Sequence, residues 1–201
     1  DTRRQYWAEH GTEVCAAAER ELGLPMFVKP VRLGSSVGIS KVTRAGDLRA
    51  ACERAFAYDD KIMIEKGLTV REIEVALLGD YEPEVSVPGE VIPNGEFYSY
   101  DAKYVDADGA RSVIPALLTP EQTRTAQDLA RRVFVALELY GMARVDLFIE
   151  KSTGAFFFNE ANTIPGFTEI SQYPLLWQAS GVPPGALLDR LIDLAWRRAA
   201  G

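Results

Sequence analysis

A single histidine, His10, occurs in the 201 residues, and it sits in a polar N-terminal segment. Any catalysis must therefore proceed without a histidine base, which removes Ser-His-Asp and Cys-His hydrolases from consideration. Cysteine is almost as scarce. Cys15 and Cys52 are too few for a disulfide framework and wrongly placed for zinc, which points to a reducing, cytoplasmic setting. No apolar run approaches the ~20 residues of a membrane span, and no signal peptide is visible, so no membrane partner is expected. Neither Gly-x-Gly-x-x-Gly nor a Walker loop ending in Gly-Lys-Ser/Thr is found. A net charge of −7 argues against a nucleic-acid surface. What remains is apolar: 47 % of the chain, enough for one large domain or two small ones sharing a cleft.

Periodicity divides the chain into short elements. Residues 2–22 read as a helix ended by Gly23, with Pro25 beyond it. Strands are expected at Met26–Lys29, Ile39–Val42 and Ile62–Glu65. Leu48, Ala51, Cys52, Ala55 and Phe56 recur at helical spacing between them, with Thr43 available as a cap. From Arg71 to Leu78 charge and aliphatic residues alternate, the period of a half-buried strand. Further strands are expected over 84–91 and 97–100, followed by a polar loop over 101–112. Thr119-Pro-Glu-Gln122 opens a helix reaching about Tyr140 with a capping box. Strands over 142–150 and 155–160 follow. A helix over 185–198 closes the chain, with Leu187, Leu188, Leu191, Ile192, Leu194 and Ala195 inward. Strands outnumber helices and come partly in adjacent pairs, so the fold class is α+β, with a division near residue 70 into units 1–70 and 71–201.

Four constellations carry candidate chemistry. Asp146 lies on one apolar strand, and Glu160 and Asn162 lie at alternate positions of the next, so the latter two share a face. Two carboxylates and a carboxamide make an all-oxygen site suited to a hard cation, or else polar residues that merely flank two buried strands. Arg144 beside them favours chemistry on phosphates or carboxylates. Lys29 precedes a loop with Gly34, Ser35, Ser36 and Gly38, which can cradle an anion or form an ordinary hairpin turn. Glu65-Lys66-Gly-Leu68, with Glu72 after it, can meet an adenine ring and ribose hydroxyls, or serve as a solvated linker. Lys103 and Tyr104 begin the polar loop, as ligands for phosphate and substrate or as surface residues.

Set together, Phe27-Val-Lys29-Pro, Gly34-Ser-Ser-Val-Gly38, Glu65-Lys66, Arg71-Glu-Ile-Glu74, Asp101-Ala-Lys-Tyr104, Ala143-Arg-Val-Asp146, Asn159-Glu-Ala-Asn-Thr-Ile-Pro-Gly166 and Ser171-Gln-Tyr-Pro174 resemble the D-alanine–D-alanine ligases, in the same order, over about residues 24–200. The resemblance implies an ATP-grasp fold, two α+β subdomains clasping ATP. It also implies ligation of two D-alanine molecules through an acyl phosphate, for peptidoglycan precursors. D-lactate or D-serine as second substrate, or nucleotide binding without ligation, are the alternatives. By the same resemblance Lys29, Glu65, Lys66, Leu68 and Glu72 hold ATP, and Phe148 and Asn159 line its adenine pocket. Ser35, Ser36 and Val37 close over the phosphates, and Lys103 reaches the γ-phosphate. Asp146, Glu160 and Asn162 bind two Mg²⁺ or Mn²⁺ ions, Glu160 bridging. Arg144 and the Gly166 amide form an oxyanion site. Ser171 and the Gln172 amide take the second substrate's carboxylate, and Ser35 and Tyr104 position that substrate. The family also carries an N-terminal domain and commonly forms homodimers. The stretch before Phe27 is shorter than the family's, which implies an omitted segment with another ATP-binding lysine, and Gln172 stands where the family has Met or Leu. Residues 32–38 and 101–112 are expected to act as lids.

Overall fold

The computed structural model describes residues 1–34, 36–93 and 110–200, which fall into two compact units, Asp1–Leu68 and Thr69–Ile92 with the chain from Ala110 onward. In the first, β1 (Thr2–Arg3), α1 (Arg4–Leu22), β2 (Met26–Pro30), β3 (Ser40–Val42), α2 (Leu48–Phe56) and β4 (Lys61–Lys66) build a four-stranded sheet of order β1-β4-β2-β3. Met26 and Val28 of β2 and Ile62 of β4 are fully buried against the helices, while the residues between them face the other way. On α2 the buried stripe is Leu48, Ala51, Cys52, Ala55 and Phe56, the set that the spacing predicts. Burial pushes the Cys52 thiol up to about 12, so it packs as a small hydrophobe. Two local expectations differ. Residues 2 and 3 pair with β4 instead of starting α1. Thr43 does not cap α2, because a 3-10 turn over Ala45–Asp47 leads directly into Leu48.

The second unit continues with β5 (Val70–Gly79), β6 (Glu84–Val85), β7 (Gly89–Pro93), β8 (Ala110–Val113), α3 (Pro120–Ala136), β9 (Gly141–Glu150), β10 (Phe156–Asn162), α4 (Gln172–Ala179) and α5 (Pro184–Ala200). Its sheet has the order β10-β9-β5-β7-β8, with β6 also on β5. Pairings of β5 with β6, β7 and β9, and of β9 with β10, are antiparallel, as are those of the first unit, which fits the α+β class. Odd-numbered residues of β5 and β9 (Ile73, Val75, Leu77, Ala143, Val145, Leu147, Ile149) pack on Ala126, Ala130 and Phe134 of α3. On the opposite face α4 and α5 pack on Ala76, Leu78 and Met142. The rest of that face is left for polar side chains.

Several boundaries shift for identifiable reasons. The strand expected over 84–91 is interrupted at Ser86, whose hydroxyl accepts the Ala76 amide at 2.9 Å in place of a ladder partner. Residues 110–112, read as loop, belong to β8. The Thr119–Gln122 capping box forms reciprocally, at 3.0 and 3.1 Å, but α3 stops at Ala136, before the left-handed Glu138 (φ 51°). Helix α4 has no counterpart in the sequence reading. On α5 only Leu187 and Leu194 are buried, while Leu188 and Ile192 are about half exposed, at 48 % and 55 %. The strand expected over 97–100 lies outside the described residues.

Candidate active site

In the first unit the sheet face away from the helices carries Phe27 and Lys29 of β2, Lys41 of β3, and Met63 and Glu65 of β4. Lys29 Nζ meets Glu65 at 2.8 Å, a diagonal pair on one face. A lysine held by an acid beside a glycine-bearing loop can move to a stronger anion. The loop itself turns twice, the Val37 amide donating to Gly34 O at 3.2 Å and the Ile39 amide to Ser36 O at 3.3 Å. Gly38 has φ +74°, and a Cβ there would lie 2.8 Å from Tyr58 and 2.9 Å from the Pro30 ring. Gly38→Ala is therefore expected to lower stability by about 1–2 kcal/mol, read as the urea midpoint, since both backbone and space disfavour a side chain.

The start of this loop is anchored by a residue the sequence did not single out. Asp59 is buried and accepts from the Arg32 backbone (2.7 Å), Arg32 Nε (3.0 Å) and the Lys61 backbone (3.1 Å). Those bonds, above all the Arg32 guanidinium, hold its carboxyl far below the usual carboxylate range. The stabilisation is present above the unfolded aspartate pKa of about 3.9 and is lost as pH falls toward the depressed native value. Asp59→Asn should accordingly flatten the acid limb of stability measured between about pH 2 and 5.

In the second unit the half-face beyond α4 and α5 gathers Glu72 and Glu74 of β5, Arg144, Asp146 and Phe148 of β9, and Phe157, Glu160 and Asn162 of β10. The register makes this happen. Glu72 stands opposite Phe148, Glu74 opposite Asp146, Asp146 opposite Glu160, and Arg144 opposite Asn162. A bulge at Asn159 is the decisive local feature. Before it Phe156 packs toward α3, and after it Ala161 does so, so the extra residue carries Glu160 and Asn162 onto the face of Asp146. Alternation alone correctly puts those two side chains together, but only the bulge aligns them with Asp146.

Arg144 lies over this cluster. Its Nε and Nη2 donate to the two Asp146 oxygens at 2.7 Å each, and Nε is 3.4 Å from Glu74. Burial works against its charge, yet the bonds to Asp146 and the fields of Asp146, Glu74 and Glu160 hold its pKa above the ordinary arginine value. Asn162 Nδ2 donates to Asp146 at 3.0 Å and approaches Glu160 at 3.5 Å. Among the described residues no three His, Cys, Asp or Glu side chains form a metal cage. The third donor is a carboxamide, whose half-turn would present Oδ1. One or two carboxylates with neutral oxygens and open positions is the donor set that suits Mg²⁺ or Mn²⁺ bound together with phosphates. The residues present fit such an ion. Glu72 and the half-buried Phe148 place an acid beside an apolar wall, and Phe157 extends that wall, a residue the sequence reading missed.

The loop after β10 closes on Ser171, the N-cap of α4. Ser171 Oγ accepts the Thr168 amide at 2.9 Å and shares a proton with the Thr168 hydroxyl at 2.8 Å. A Cβ at Gly166 would lie 2.9 Å from that oxygen, so the close approach needs glycine. Gln172, at the start of α4, donates to Ser112 of β8. Lys66, at the end of β4, Leu68, just beyond it, Ser36 and Val37 belong to the first unit, and Asn159 occupies the bulge. Ser35, Lys103 and Tyr104 lie outside the described residues. His10 lies on α1, beside Glu9 and Glu13.

Comparison with known proteins assigns the family. Residues 2–193 match the family model described as the D-ala D-ala ligase C-terminus. The D-alanine–D-alanine ligase of Heliobacterium modesticaldum is 49 % identical over 195 residues, covering 97 % of this chain and 53 % of that protein. The D-alanine–D-alanine ligase A of Bradyrhizobium diazoefficiens is 51 % identical over 199 residues, covering 98 % and 53 %. Among solved structures, the VanG D-Ala:D-Ser ligase from Enterococcus faecalis superposes with a TM-score of 0.83 at 36 % identity, covering 96 % of this chain and 55 % of that one. The D-alanine–D-alanine ligase from Coxiella burnetii superposes at 0.76 and 37 %, covering 92 % and 48 %. The fold is thus of the ATP-grasp class. The chain belongs to the D-alanine–D-alanine ligase family, in its C-terminal part. It spans about half the length of the curated relatives it matches.

Proposed function

We propose that this chain is the nucleotide- and metal-binding part of a cytoplasmic ATP-dependent ligase that joins two D-alanine molecules for peptidoglycan precursors. The observation that carries the reading is the convergence of Arg144, Asp146, Glu160 and Asn162 on one half-face of the second unit's sheet. In this reading the first unit supplies Lys29, Ser35, Ser36, Val37, Glu65, Lys66 and Leu68 to ATP, with Lys103. The second supplies Glu72, Phe148 and Asn159. Asp146, Glu160 and Asn162 hold two Mg²⁺ or Mn²⁺ ions, which when bound offset charge on the transferring phosphoryl group.

The rest of the chemistry falls to the chain's own groups. Lys29, drawn from Glu65 by a stronger anion, orients the phosphates while the first D-alanine's carboxylate attacks the γ-phosphate and ADP departs. Ser171 and the Gln172 amide hold the second substrate's carboxylate, and Ser35 and Tyr104 align its amine. That amine, in its neutral form, attacks the acyl carbon, and the proton its nitrogen sheds goes to the departing phosphate as the C–O bond breaks. Arg144 and the Gly166 amide donate to the oxyanion that develops, and inorganic phosphate leaves. No step requires a histidine.

The likeness to a D-Ala:D-Ser ligase supports a second reading, in which D-serine is the second substrate. The roughly 50 % identity to proteins named D-alanine–D-alanine ligase favours D-alanine. Phosphate release by the full-length protein with ATP, Mg²⁺ and D-alanine alone is expected. Release only on adding D-serine or D-lactate would transfer the assignment, and nucleotide binding with no release would reduce it to a binding module. The chain itself is expected to bind ATP–Mg²⁺ in calorimetry. No heat at millimolar ATP would remove the nucleotide reading.

A further inference from the structure

Asp146 is asked for twice in the proposed site. As a metal ligand it must offer its oxygens to a cation, yet Arg144 engages both of them, each at 2.7 Å. A guanidinium bonded to both oxygens takes one lone pair of each and sets its positive charge beside any divalent ion on the same carboxylate, so the cation binds better once the guanidinium draws back. Arg144 therefore needs a second anion to move toward. Glu74 is placed for that role. It stands directly opposite Asp146 on β5, its side chain is only 13 % exposed, and its Oε2 is 3.4 Å from Arg144 Nε. The residue directly opposite Arg144 is Ala76, which carries no polar group to compete with Glu74 for the guanidinium.

We infer that Glu74 is a positioning residue for Arg144, the carboxylate that takes over the guanidinium when a divalent cation claims Asp146. The three carboxylates Glu74, Asp146 and Glu160 form a row across three adjacent strands, with Arg144 on the Glu74 side and the neutral Asn162 on the Glu160 side. That asymmetry sets the direction of the exchange: Asp146, Glu160 and Asn162 would hold the cation, and the arginine would retire toward Glu74. The shift also frees one edge of the guanidinium for an oxyanion. A buried acid held only to balance charge would serve equally well on either side of Asp146. One placed to receive Arg144 must lie where Glu74 lies.

The inference rests on the proposed cation site, and Mn²⁺ affinity of the full-length protein, followed by electron paramagnetic resonance without nucleotide, tests both separately. Glu74→Gln is expected to weaken Mn²⁺ binding by roughly ten-fold or more, the usual effect of losing a residue that orients a metal ligand's partner. Glu74→Asp, with shorter reach, should give a smaller loss, and it takes the place of Glu74→Gln should that variant not fold. In an Arg144→Gln background the same Glu74 substitutions should change affinity by less than about two-fold, because the group they act through is gone. Equal losses in both backgrounds would mean that Glu74 acts by charge alone and would overturn the inference, as would wild-type affinity in Glu74→Gln. If Glu160→Gln leaves Mn²⁺ binding unaltered, or the wild type binds none, the cation site itself fails and the inference falls with it.

Discussion

Glu160→Ala is expected to lower ATP-dependent phosphate release in the full-length protein about a thousand-fold or more. A metal's stabilisation of transferring charge is worth several kcal/mol, and each ~1.4 kcal/mol is ten-fold in rate. The fold should be spared, because Glu160 is only half-buried at the end of β10 and contributes no apolar packing. Glu160→Gln, which keeps the shape, should be nearly as damaging. Asp146→Ala should also abolish turnover but cost stability besides, since it leaves Arg144 without its principal partner. Turnover within about ten-fold of wild type in Glu160→Ala, with a native circular dichroism spectrum, would sink the metal assignment.

Arg144→Met should produce the largest combined loss of stability and activity. The substitution keeps length and apolar contact but removes the only cation described within the Glu74–Asp146–Glu160 row. Breaking a buried ion pair by deleting one partner costs about 3–5 kcal/mol, because the abandoned carboxylates stay buried without compensation. Loss of one oxyanion donor should take a further factor of about 10²–10³ from kcat. The pH dependence separates this cause from a packing defect. Without Arg144 the opposed carboxylates repel, so the folded variant takes up protons more readily than its unfolded chain, and its stability rises as pH falls. Urea midpoints of wild type and variant should therefore converge on acidification. A gap that stays constant from about pH 8 to 5 would point to packing instead.

Much of the site was legible because its signals are local. Alternation along a strand is a property of the chain itself, so Glu72 and Glu74, or Glu160 and Asn162, were bound to share faces wherever those strands docked. The helical spacing of Leu48, Ala51, Cys52, Ala55 and Phe56 named the buried stripe of α2 for the same reason. The capping box at Thr119 is likewise written in four consecutive residues. Helix α5 shows the limit of periodicity. Leu188 and Ile192 have the right spacing for a core, but the helix turns only Leu187, Leu191 and Leu194 into the cluster with α4 and the sheet.

By itself, then, the sequence determined most of the elements, the faces of its strands, the placement of Glu160 and Asn162 on one face, and the scarcity of histidine. Tertiary structure decided which carboxylates meet. The register that sets Glu74 opposite Asp146 joins residues more than seventy positions apart, and no local preference encodes it. The bulge at Asn159 breaks the alternation that a sequence reader must assume. Asp59 looked like one acid among many until packing buried it under Arg32. Arg144 acquired its place between two acids only when the register of β5 on β9 set Glu74 opposite Asp146. Short-range order follows from backbone geometry, whereas cross-strand pairing is settled by what every layer of the fold must bury at once.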